Sequence, residues 1–116
     1  MTRDIFTFGA YRWNITAAEQ LLAGRPVEHY APVKKAAALL FMVYIDEAHA
    51  ATVDLAKPLI IAPVNNVGHI VIDGWHRIYK AHNEGIETLP AHVLTAEEEH
   101  QIRSYGGDKG QPFYYR

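Results

Sequence analysis

Asp73-Gly74-Trp75-His76-Arg77 stands between an apolar run, Ile70-Val71-Ile72, and a segment of helical spacing that ends at Gly85. Those residue types in that order suit phosphate chemistry. Gly74 permits positive φ and close approach of the backbone to a ligand. A helix beginning beyond it leaves the N–H groups of residues 75–78 facing outward at the positive end of the helix dipole. Arg77 offers a planar fork matched to phosphate oxygens. His76 could donate to a phosphate or move a proton near neutral pH. Asp73 could orient His76 or Arg77, or bind Mg²⁺ beside the phosphate. Trp75 could stack on a base, or simply cover the helix start. The plain alternative is a strand-to-helix turn with His76 and Arg77 solvated.

A phosphotransferase also needs a base. Glu47, Asp46, Asp54 and Glu28 are candidates by type, with Glu47 first, although surface solvation explains each more simply. The seven histidines, at 29, 49, 69, 76, 82, 92 and 100, include no i, i+4 pair of the kind that puts two ligands on one helix face. With no cysteine in the chain, a zinc site and thiolate chemistry are not expected. Mg²⁺ arriving with a nucleotide is the better cofactor expectation, because it binds through few carboxylates plus substrate phosphates. Lys34-Lys35 and Glu97-Glu98-Glu99 read as solvated charges, the latter reinforcing a helix N-terminus.

The elements that must hold these residues can be read from spacing. Ile5 to Ile15 reads as one aromatic-rich strand. Thr16-Ala17-Ala18-Glu19 has the form of a capping box, with Gly24 as the stop. Arg25 to Ala31 reads as a connection. From Pro32 the apolar spacing predicts one long helix to about Ala50. Leu59–Ala62 and His69–Asp73 form a predicted hairpin about the turn Asn65-Asn66-Val67-Gly68. A helix follows over His76–Glu84, then a strand over Ala91–Leu94. Thr95-Ala96-Glu97-Glu98 is a second capping box, opening a helix to about Tyr105. The sum is an α/β (α+β) domain over residues 1–105, a small mixed sheet with flanking helices, and a glycine-rich aromatic tail over 106–116.

Composition narrows the classes. A chain of 116 residues, 49% hydrophobic, fits one domain with a modest core. The longest apolar run, Ala36 to Ile45, falls well short of the roughly 20 residues a membrane span needs. The N-terminus lacks a signal-like apolar core, so a cytoplasmic location and no membrane partner are expected. A net charge of −2 lacks the basic excess usual for duplex-binding domains.

The stretch from Ile70 through Gly85-Ile86-Glu87-Thr88-Leu89-Pro90-Ala91 resembles the ParB/sulfiredoxin superfamily, in which a D-G-x-H-R-like turn, a helix and a G-I-x-x-[IVL]-P-A segment lead into a strand. Leu55-Ala56-Lys57-Pro58-Leu59-Ile60-Ile61 is similar to the family's upstream segment. It departs at Lys57, which stands for a glutamine, and in having no arginine after Ile61. The resemblance is continuous over 57–95, loose over 13–56 and absent in the tail. It implies a ParB/sulfiredoxin-like fold with a phosphate or nucleotide at the turn. With the residue chemistry above, the expected binding set is Gly74, Trp75, His76, Arg77 and Lys57, and the expected catalytic set is His76, Asp73 and, chosen by type, Glu47.

Sulfiredoxins carry a nucleophilic cysteine where this chain has Trp75, so that chemistry is not available. Partition proteins continue into helix-turn-helix and dimerisation domains, and with only about 20 residues after the last predicted strand, centromere recognition of that kind is not expected. Three expectations remain. One is a domain binding a nucleotide such as CTP, ATP or ADP, or another phosphate-bearing small molecule, with slow hydrolysis or phosphotransfer. The second is a nuclease, which the acidic balance disfavours. The third is a non-catalytic interaction module that retains the fold; independently of these, a homodimer is a possible assembly.

Overall fold

The computed structural model describes residues 4–109 and has a mixed α+β architecture built on two sheets. The chain opens with a hairpin: β1 (Ile5–Phe8) and β2 (Tyr11–Asn14) pair antiparallel about Gly9, whose φ is 56°. The single strand expected over 5–15 is thus two strands, because Gly9 supplies the positive φ of a tight turn.

Helix α1 (Ile15–Leu22) is capped two residues earlier than its expected capping box. Asn14 is the N-cap, its side chain accepting from Ala17 N–H at 3.0 Å. Thr16 Oγ1 instead accepts from the Asp4 amide, and Glu19 turns to Lys57. The segment read as a connection contains β3 (His29–Pro32), which runs antiparallel to β6 (Thr88–Val93).

The long helix expected over 32–50 is broken into α2 (Val33–Ala37), a 3-10 turn (Leu40–Met42) and α3 (Glu47–Ala50). Two local causes are visible. Val43 is extended at φ −129° and ψ 151°, as a β-branched residue prefers, and Asp46 starts a new helix by capping Ala48 and His49 N–H. The apolar run between them is only partly covered, and Phe41 and Tyr44 are 83% and 87% exposed.

The second half follows the sequence reading closely. β4 (Leu59–Val64) and β5 (Gly68–Asp73) form the hairpin, with Asn66 at φ 66° in its turn. α4 (Trp75–Asn83) ends in a Schellman motif in which the Ile86 amide reaches the Ala81 carbonyl across left-handed Gly85. β4 and β6 are parallel, joined by a crossover made of β5 and α4. The second capping box forms at Thr95 and Glu98, opening α5 (Ala96–Ile102). That helix stops at Ile102, and β7 (Arg103–Tyr105) pairs with β2 where more helix was expected.

The sheets are ordered β1-β2-β7 and β3-β6-β4-β5. In β5 the side chains of Ile70 and Ile72 enter one apolar cluster, with Trp13, Ala18 and Leu94, while Val71 enters the other with Trp75, Ile78 and Leu89. This period of two, buried on both faces, explains the continuous apolar run in the sequence. Residues 106–109, assigned to the tail, are bonded to the domain: Arg103 donates to the Gly106 carbonyl and to Asp108, and Lys109 Nζ to the His100 carbonyl. The aromatic part of the tail lies outside the described residues. Among the described residues no helix is long and apolar enough to cross a membrane.

Candidate functional site

The end of β5 feeds α4 through Gly74, which sits at φ 110° and ψ 16°. The first bond of the helix runs from the Ile78 amide to the Gly74 carbonyl at 3.0 Å. The N–H groups of Trp75, His76 and Arg77 therefore have no acceptor within the helix. Two clefts meet at this turn, each lined by Asp4 and by residues 73–76. One, of about 370 Å³, is completed by Glu19, His49, Asp54 and Lys57. The other, of about 410 Å³, is walled by Ile5, Phe6, Met42 and Tyr44.

Arg77, expected to reach a phosphate, has a different task. Its side chain is buried, and its Nη1 donates to the carbonyls of Lys57 at 2.7 Å and Pro58 at 2.5 Å. Its Nη2 donates to Asp73 Oδ2 at 2.8 Å. The guanidinium thus ties the start of α4 to the chain entering β4 and to the end of β5. Asp73 is correspondingly a partner of Arg77 rather than of His76.

Trp75 is likewise a core residue. It is 6% exposed, packs in the cluster of Leu59, Val71 and Ile78, and gives its indole N–H to the Val71 carbonyl at 3.0 Å. Its ring is not a platform on which a base could stack.

His76 is half-buried at the junction of the two clefts, where its Nε2 accepts from the Asp46 amide at 3.1 Å. A nitrogen that accepts from an N–H carries no proton, so the ring is neutral with its proton on Nδ1. The edge of one imidazole meets the face of the other between His76 and His49, centroids 4.7 Å apart. Burial first, and then the neighbouring His49, hold the His76 pKa below its ordinary value of 6.5, against an opposing pull from Asp46.

Lys57 lines the smaller cleft, with its ammonium 2.8 Å from Glu19 Oε2 in an exposed pair. Glu47, first choice for a base, does not enter either cleft. It stands at the start of α3 beside Tyr79 and Lys80 in a separate depression. Asp46 is committed to capping, and Glu28 is exposed ahead of β3. Asp54 does line the cleft, accepting from the Ala56 amide. The sequence reading missed Asp4, Glu19 and His49, which arrive from the chain ahead of β1, from α1 and from α3 at spacings that carry no local signal. Among the described residues no group of three or more histidines or carboxylates is arranged to hold a metal ion.

Comparison with protein-family models, curated proteins and solved structures returned no match for this chain.

Proposed function

We propose that this chain is a ParB/sulfiredoxin-like domain that binds a phosphate-bearing small molecule, a nucleotide above all, at the turn from Gly74 into α4. The observation that carries the reading is the set of N–H groups of Trp75, His76 and Arg77, left over by a left-handed glycine where two clefts meet. The resemblance of residues 57–95 to that superfamily supports it. In this reading Arg77 shapes the turn, and Lys57 is the cation free to move. Its pair with Glu19 is exposed, and such pairs contribute about 0–1 kcal/mol, so the ammonium can turn to an anion. Asp4 and Asp54 would repel a bare phosphate, which favours a nucleotide that brings Mg²⁺ with it. His76 would act as a hydrogen-bond donor through Nδ1–H. Any slow hydrolysis or phosphotransfer would use it in that form.

Thermal unfolding across a nucleotide panel, with and without Mg²⁺, tests this reading. A ligand at 100 times its Kd stabilises the folded state by about 2.7 kcal/mol, which raises the midpoint by several degrees. A flat panel would overturn the proposal. Lys57→Ala should weaken binding by roughly 1 kcal/mol while leaving the unliganded midpoint in place. If phosphate is released, His76→Ala should lower kcat more than it raises KM. A second reading, an interaction module without turnover, is favoured by the exposure of Phe41 and Tyr44. It predicts no nucleotide shift at all. The nuclease reading is disfavoured by the net charge of −2 and by the carboxylates of Asp4, Glu19 and Asp54 that line the smaller cleft.

A further inference from the structure

The contact between α4 and α3 rests on a polar joint that only one protonation state can make. The Asp46 amide donates to His76 Nε2, and the same residue's carboxylate caps α3 by accepting from Ala48 and His49 N–H. We propose that His76 is a proton-operated latch that holds residues 41–49 against the start of α4 when neutral and releases them when protonated.

Protonation would set an N–H of the ring against the N–H of Asp46, turning a hydrogen bond into a repulsion. It would also place an imidazolium beside the ring of His49, 4.7 Å away between centroids. The release is confined by what lies on either side. Leu40, Val43 and Ile45 keep partial contact with the apolar cluster of Trp75 and Ile78, and Lys80 Nζ donates to the Ala51 and Val53 carbonyls beyond α3. Residues 42–44 line the larger cleft, so freeing this segment reshapes that cleft directly.

The charges around the ring set the direction. From α3 come the Asp46 carboxylate, which favours the imidazolium, and His49, which opposes it. Asp4 and Asp54 line the clefts, as do Asp73, paired with Arg77, and Glu19, paired with Lys57; the carboxylate that acts on the ring is that of Asp46. Lys80, on the same helix, is directed to carbonyls, and Lys34 and Lys35 of α2 are exposed. Burial and His49 prevail, and the titration falls below 6.5. The latch is therefore closed at neutral pH and opens on mild acidification.

The test uses the full chain without any ligand, so its outcome is separate from that of the nucleotide panel. Amide resonances and hydrogen exchange are followed from about pH 8 to about pH 5. The Asp46 amide should shift with a midpoint below 6.5. Its protection, corrected for the intrinsic pH dependence of exchange, should fall about fivefold or more, the factor carried by one ordinary hydrogen bond. His76→Gln keeps an acceptor that does not titrate and should abolish the step. His49→Ala removes the opposing ring and should move the midpoint upward while keeping the step. An Asp46 amide that does not respond in the native chain overturns the latch. So does the same step persisting in His76→Gln, or a midpoint unmoved in His49→Ala.

Discussion

Leu59 and Gly74 are fitted to each other. A methyl group on Gly74 would run into Leu59 Cδ2 and lie 3.2 Å from the guanidinium carbon of Arg77. Leu59 is 1% exposed and has little room to yield. Gly74→Ala adds a left-handed backbone penalty of about 1–2 kcal/mol and an overpacking cost of about 1–3 kcal/mol. The expected result is a loss of about 2–5 kcal/mol in urea unfolding, with Gly24→Ala, where no atom lies near, costing only the backbone part.

Arg77→Ala should destabilise the unliganded protein. The substitution leaves the Lys57 and Pro58 carbonyls without their donor and Asp73 without its cation. The expected cost is about 3 kcal/mol or more, since breaking a largely buried ion pair strands the partner. Arg77→Lys should recover only part of it, because an ammonium cannot reach three acceptors in the fork geometry. An unchanged denaturation midpoint in Arg77→Ala would contradict the role described for this side chain.

The pH profile of stability should show two declines. His76 and His92 both titrate below 6.5 when folded, each chiefly through burial, with the charge of Arg25 adding to the effect at His92. The unfolded chain takes up these protons first, so stability is full above pH 6.5 and falls as pH drops through that value. Glu98, held by Arg25, and Asp108, held by His100 and Arg103, lie below their ordinary 4.5 and 3.8. Their contribution is present above those values and is lost as pH falls through the lowered ones. Urea titrations at successive pH values should resolve the first decline, and the double variant His76→Gln, His92→Gln should remove it.

Glu99 is the anchor of the C-terminal half. It is 5% exposed and accepts from the Trp13 indole at 2.8 Å and from Arg103 Nε and Nη2 at 2.8 and 3.2 Å. Glu99→Gln removes the charge opposite Arg103 and forces an amide N–H against one of these donors. A loss of about 3–5 kcal/mol is expected. Near-UV circular dichroism should show the environment of Trp13 altered as well.

The hairpin, α4 and the strand after it were legible because their signals are local. Two-sided burial gives β4 and β5 unbroken apolar runs, and Gly74 and Gly85 mark both ends of α4 at positions of positive φ. The first half was less legible. The spacing from Pro32 onward fits a helix, but the capping power of Asp46 and the extended preference of Val43 override it. The glycine turn into α4 could be found from sequence, whereas its surroundings could not. That Arg77 would face inward depends on the carbonyls of Lys57 and Pro58, and the meeting of His76 with His49 and Asp46 depends on where a broken helix folds back.

The pairing of β2 with β7 joins Arg12 to Tyr105, and Trp13 finds its carboxylate only at Glu99. During synthesis, the opening hairpin emerges long before its third strand exists. Until then the edge of β2 that takes β7 stays open and the Trp13 indole N–H has no Glu99 to donate to, while the hairpin of β4 and β5 can already close on its own neighbours. The two sheets therefore mature at different times on the ribosome. A chain released before Tyr105 would hold a complete second sheet beside a first one still lacking its third strand, a form that a chaperone or protease would meet through the open edge of β2.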